Sequence, residues 1–119
     1  MRINVVIAAE LIRASATVMV YSQRDIASIL AMIRHLGATV GQGENAARLA
    51  GQYEERLVTV AAQVAGKPRP VVYFEEWDEP MISGIKWVSE LIEIAGGREA
   101  FPELAGEESA RDRIVPPNR

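Results

Sequence analysis

Apolar residues fall at helical spacing in four stretches of this chain and run together in two short ones. Val5 to Arg13 reads as a helix, and Thr17-Val18-Met19-Val20-Tyr21, rich in β-branched residues, predicts a short buried strand. Ser22-Gln23-Arg24-Asp25 resembles a capping box with Asp25 in the place of the usual Glu. Behind it Ile26, Ile29, Leu30, Ile33 and Leu36 mark one helix face, and Gly37 stands where a left-handed C-cap belongs. Gly41-Gln42-Gly43 then breaks the chain.

The longest helical stretch runs from Glu44 to Ala65, opened by Glu44 or Asn45 and closed by Gly66. At about 1.5 Å per residue it would extend roughly 33 Å. Its apolar positions, Leu49, Tyr53, Leu57, Val60 and Val64, form a narrow stripe that suits a helix lying across a surface or between two lobes.

Lys67-Pro68-Arg69-Pro70 is a stiff connector. A second strand, Val71-Val72-Tyr73-Phe74, enters an acidic and aromatic turn, Glu75-Glu76-Trp77-Asp78-Glu79-Pro80. A helix from about Ser83 to Ala95 follows, with Ile85, Val88, Leu91, Ile92 and Ala95 on its buried face, Trp87 beside Leu91, and Gly96-Gly97 as its stop. Beyond them the chain reads as irregular (Phe101-Pro102-Glu103-Leu104), then charged from Glu107 to Arg113, then unstructured from Ile114 to Arg119. Two strands, one on each side of the long helix, cannot make a stable sheet of their own. The chain is therefore expected to be the middle of something larger, or a unit that completes its sheets by pairing with another copy.

Composition narrows the function classes. The 119 residues suffice for one modest core, and the formal net charge of −3 argues against nucleic acid as a partner. Cysteine is absent, which excludes disulfides, thiolate metal sites and cysteine nucleophiles. The N-terminal run resembles a signal peptide, but Glu10 and Arg13 fall where its apolar core would be. No run approaches the ~20 apolar residues of a membrane-spanning helix, so membrane insertion is not expected.

Candidate chemistry centres on the acidic turn. Four carboxylates, Glu75, Glu76, Asp78 and Glu79, could hold a hard cation or act as a hydrolase pair. The spacing matches no EF-hand, and neighbours on an extended chain point in opposite directions, so a solvated acidic turn is the simpler reading. Trp77, a large aromatic just past a strand, must either pack or bind something. His35, the one histidine, falls near the end of its helix, where a cation favours the helix dipole, and could serve as a metal ligand or base. Tyr21, Ser22 and Gln23 end the first strand as Trp77 ends the second, either as a cap or as the opposite wall of a cleft. There is no Gly-rich phosphate loop, G-x-S-x-G elbow or nucleophile–base pair, so no enzymatic activity is expected.

The run YFEEWDEPMISGIKWVSELIEIAGG (73–97), followed by FPEL and DRIV, resembles the second lobe of ABC-transporter substrate-binding proteins for cobalamin and iron–siderophore complexes. Upstream, VMVYSQRDIASILAMIRHLGATVG (18–41) is similar to the end of that family's first lobe, and residues 44–65 fall where its bridging helix belongs. The resemblance implies an α/β fold with parts of two lobes: 1–43 as the end of the first, 44–66 as the bridging helix and 67–119 as the start of the second. It also implies a periplasmic or extracytoplasmic protein, no cofactor, and a chelate ligand (cobalamin, haem or a ferric siderophore) held non-covalently in the inter-lobe cleft. Tyr21, Gln23 and Arg24 would face Glu76, Trp77, Asp78, Met81 and Ile82 across that cleft. Trp77 would offer a flat surface to the ligand and Arg113 would reach an anionic group on it. The partner of the full-length parent would be an ABC permease. Such proteins are more than twice this long, and the ending Pro116-Pro117-Asn118-Arg119 departs from the pattern, so a truncated member or fragment is expected. The alternative is a self-associating module, dimeric through strand or helix exchange.

Overall fold

The computed structural model describes residues 2–117. Helix α1 (Arg2–Arg13) leads into an extended segment, and α2 (Ile26–Thr39) and α3 (Gly43–Val64) form an antiparallel hairpin. After them come β1 (Val71–Val72), β2 (Glu75–Trp77), β3 (Ile82–Ser83), α4 (Lys86–Ile94), β4 (Arg98–Glu99), α5 (Pro102–Ala105) and a 3₁₀ turn at Ala110–Arg113. The radius of gyration is 17.7 Å, against about 13–14 Å for a compact chain of this length.

Residues 16–24 carry no strand, in contrast to the strand expected at Thr17–Tyr21. Hydrogen-bonding to a neighbour makes a strand, and among the described residues no segment pairs with this one. The capping box lies three residues later than expected. Asp25 is itself the N-cap and accepts from the Ser28 backbone N–H at 2.8 Å, while the Asp25 N–H is met by the Ser28 hydroxyl. The Ser28 bonds, with Lys86 adding to them, hold the Asp25 carboxyl down at about 2.

Gly37 does not end α2. It is buried inside the helix, at the point where α2 and α3 come closest: a Cβ built there would overlap the Ala46 Cβ. The left-handed residue is Gly41, at φ +73. Helix α3 spans 22 residues and stops before Gly66, close to expectation. Ala46 and Ala50, the buried positions of its first half, are small enough for the close approach.

On the far side of α3 the chain builds a parallel pair, β1 with β4, registered Val71 to Arg98 and Val72 to Glu99. α4 lies between them in sequence, the βαβ arrangement of α/β proteins. Arg69 of the connector clamps this unit: it donates to the Gly97 carbonyl at 2.7 Å and pairs with Glu93, holding that carboxyl below its ordinary range. The expected turn at 75–80 is instead half strand, since β2 and β3 form an antiparallel hairpin with an irregular register between Glu75 and Trp77. Helix α4 begins at Lys86 rather than Ser83, because Ser83 is paired into that hairpin.

The segment from Ile114 is also ordered where disorder was expected. Ile114 bridges Ile82, the Val115 N–H donates to the Met81 carbonyl at 2.8 Å, and Val115 is buried. Asn118 and Arg119 lie outside the described residues.

Candidate functional site

The β2–β3 hairpin carries most of the residues singled out from the sequence. Its framework is an ion pair between a buried arginine and an exposed glutamate. Arg113 is 3% exposed and grips the Glu76 carboxylate with both terminal nitrogens, at 2.6 and 3.2 Å. The same guanidinium donates to the Ser83 carbonyl, and the buried Ser83 hydroxyl donates to the Arg113 carbonyl at 3.3 Å. A bidentate fork with a third acceptor fixes the 3₁₀ turn against both strands. Arg113 thus ties the hairpin together; its terminal nitrogens are engaged by the protein itself and not held free for an anionic ligand group.

On this framework Trp77 stands 61% exposed. Its indole N–H donates to the Glu79 carbonyl at 3.0 Å, which orients the ring across the turn. Asp78 accepts from the Glu79 N–H at 2.9 Å, and the Glu79–Pro80 peptide is cis. Met81 in the turn, Phe74 just before β2 and Ile114, which bridges Ile82, are exposed too, so this part of the chain offers apolar surface as well as carboxylates. Ile82 is half-buried at the base. The four carboxylates do not converge: among the described residues no group of three or more acidic or histidine side chains is arranged to hold a metal.

The residues expected on the opposite wall occupy the extended segment before α2. Tyr21 shares a 2.9 Å hydrogen bond with His35 Nδ1, and the two rings meet edge to face at 5.9 Å. Gln23 is half-buried. Arg24 is the point where the segment touches the second unit: its carbonyl accepts from the Trp87 N–H at 2.9 Å and its guanidinium donates to the Glu107 carbonyl at 2.7 Å. Among the described residues no hydrogen bond or ion pair joins Tyr21–Arg24 directly to Glu76–Ile82.

Sequence reasoning missed the seam that continues from Arg24. Lys86 pairs with Asp25 at 3.2 Å, and Glu90 accepts the Ile26 N–H at 2.8 Å. A carboxylate from α4 therefore satisfies a free donor at the start of α2, where the helix dipole favours negative charge. The Lys86–Glu90 spacing of four residues was a visible signal, but its partners are some sixty residues away in sequence.

Two grooves flank this seam. One, of 850 Å³, runs between α2, α3, α4 and α5, and its charged lining residues are engaged in ion pairs, as with Arg34 and Glu54 at 2.8 Å. The other, of 540 Å³, is walled by apolar side chains such as Ile29, Ile33, Leu57, Trp87 and Leu91. Neither contains a residue of the Trp77 hairpin. They are gaps in the packing of the helices, the first between α2, α3, α4 and α5 and the second between α2, α3 and α4, and both lie apart from the hairpin.

A family profile described as periplasmic binding protein matches residues 5–116. A crystal structure of an ABC transporter substrate-binding protein from Listeria monocytogenes EGD-e is similar in fold, with a TM-score of 0.65 at 20% sequence identity. The similarity covers 85% of this chain and 39% of that one. No curated protein matches the chain.

Proposed function

Because the chain belongs to the periplasmic binding protein family, we propose that it forms part of the substrate-binding component of an ABC importer. Its ligand is a cobalamin-like molecule or a ferric chelate, bound without covalent chemistry in a cleft between two lobes. Residues 1–43 belong to the first lobe, 44–66 bridge, and 67–119 begin the second. The chain acts outside the cytoplasm and hands its ligand to an ABC permease.

The observation that carries this reading is the exposure of Trp77 on a frame too well anchored to be an accident of a loose turn. A solvent-exposed indole on a hairpin that also exposes Met81, with Phe74 exposed at its start, leaves apolar area in water unless a ligand covers it. Its hydrogen bond to Glu79 and the Arg113 fork below it fix that surface in advance, which lowers the entropy lost on binding. Arg24 belongs to the other wall as the contact between units, and Tyr21 and Gln23 lie beside it.

Equilibrium dialysis of the chain against cobalamin, haem and a ferric siderophore tests the proposal. Saturable retention of one of them, lost on Trp77→Ala, is expected. Retention of none, or retention untouched by Trp77→Ala, would remove this site from the account.

A further inference from the structure

Residues 5–21 leave apolar surface in water. Helix α1 packs substantially against no other described helix or strand. Its Val6, Ile7, Leu11 and Ile12 are exposed, as are Met19 and Val20 in the extended segment that follows. Helix and segment form one face, since Ile7, Ala8 and Leu11 share a 250 Å³ hollow with residues 18–21. The backbone of this segment is also unpaired. Among the described residues no N–H or carbonyl of Thr17–Tyr21 makes a hydrogen bond, and none of these five residues is buried.

We propose that this face binds a second copy of the chain, with Thr17–Tyr21 pairing antiparallel to its own equivalent across a two-fold axis at Met19. A row of unpaired backbone donors and acceptors is met by another strand rather than by a small molecule. The segment is complementary to itself. About an axis at Met19, Val18 of one copy falls opposite Val20 of the other, and Thr17 opposite Tyr21. Such β-branched and aromatic pairs favour a ladder. The axis stands perpendicular to the paired strands, so both α1 helices lie on the same side of them and cover each other's apolar side chains. Six half-exposed side chains on each copy amount to on the order of 1,000 Å² across the pair, the lower end of a specific interface. A two-stranded ribbon alone is marginal, and the helices packed on it supply the burial that it lacks. No residue of the Trp77 hairpin belongs to this face, so the pairing and the ligand reading stand or fall separately.

The chain contains no cysteine, so a single introduced one reports the axis. Facing residues of an antiparallel pair have Cα atoms about 4.5 or 5.5 Å apart, within reach of a disulfide. Met19→Cys should therefore oxidise to a covalent dimer at least about tenfold faster than Val58→Cys, whose residue is exposed on α3. Sedimentation velocity of the parent over a concentration series should reach twice the 13.0 kDa chain mass. Ile12→Lys with Val20→Lys, both at exposed positions, should return it to monomer with an unchanged far-UV circular dichroism spectrum. If the lysine pair disturbs that spectrum, the cysteine comparison decides alone. A parent that stays monomeric throughout the series would overturn the proposal and leave the face to a different partner. A dimer that survives both lysines, or cross-linking as fast at Val58 as at Met19, would overturn it by moving the interface elsewhere.

Discussion

Replacing Gly37 by Ala probes the closest approach in the helical hairpin. A Cβ at Gly37 would overlap the Ala46 Cβ of α3 and sit 3.0 Å from the Gln42 carbonyl oxygen. In mid-helix the substitution gains about 1 kcal/mol of helix propensity. Against that gain, neither Cβ can rotate away, so the overlap is relieved only by moving helix backbone. Overpacking of rotatable side chains costs about 1–3 kcal/mol, and a backbone-mounted pair belongs at or above the top of that range. The net expectation is a loss of about 2 kcal/mol. Ala46→Gly alone should cost about 1 kcal/mol through propensity. In the double variant the obstructing methyl is gone, the new Cβ meets the Ala46 Cα at an ordinary 3.5 Å, and the tight 3.0 Å contact that remains is with the Gln42 carbonyl oxygen. The two changes should therefore compensate, leaving the double variant within about 1 kcal/mol of the parent where additivity would give a loss of about 3. Urea unfolding followed by far-UV circular dichroism measures all four proteins. A Gly37→Ala chain as stable as the parent, or a double variant showing the full sum, would refute the close approach.

Three further outcomes are expected. Arg113→Met leaves the Ser83 carbonyl and the Glu76 carboxylate without their donor and should cost about 2–3 kcal/mol in urea unfolding. Glu76→Gln keeps an acceptor and should cost about 1 kcal/mol, the smaller figure following from a carboxylate side chain that is 40% exposed; either variant unfolding like the parent would contradict the Arg113 fork. Asp25 carries a carboxyl lowered from 3.8 to about 2 in the folded chain. The stability it contributes is present above its unfolded value and drains away as pH falls through about 2. Thermal melts across that acid range should thus fall more steeply for the parent than for Asp25→Asn, and parallel curves would show that the cap charge is not coupled to folding. Glu90→Gln weakens the acceptor at the start of α2, so the Ile26 amide should exchange with deuterium measurably faster; unchanged protection would mean that the α2–α4 seam does not depend on that charge.

How far the sequence revealed this fold depended on whether the deciding contacts were local. Helix α3 was legible nearly to the residue, because a long 3.6-period stripe and a glycine stop are properties of the segment itself. Thr17–Tyr21 has strand composition yet makes no strand, since a ladder needs a neighbour that residue preference alone does not supply. Gly37 looked like a helix stop because a close helix approach and a left-handed cap both ask for glycine, and only the position of Ala46 tells them apart. The two-residue strand Arg98–Glu99 has no apolar signal and is defined by pairing with Val71–Val72 across α4. At the candidate site, Trp77 and its carboxylates were visible as a run. The buried state of Arg113 was not, because its partners Glu76 and Ser83 lie 37 and 30 residues away.

The central claim is that Trp77 is a ligand surface, and the indole N–H resonances of the ¹⁵N-labelled chain test it most directly. Trp77 and Trp87 give one signal each, assigned with Trp87→Phe, and the added ligand is the gallium form of a hydroxamate siderophore, which keeps the ferric geometry without paramagnetic broadening. The account predicts a saturable shift of the Trp77 signal, with the half-buried Trp87 signal moving little. A Trp77 signal that stays in place while Trp87 moves would contradict it and transfer the binding site to the groove between the helices.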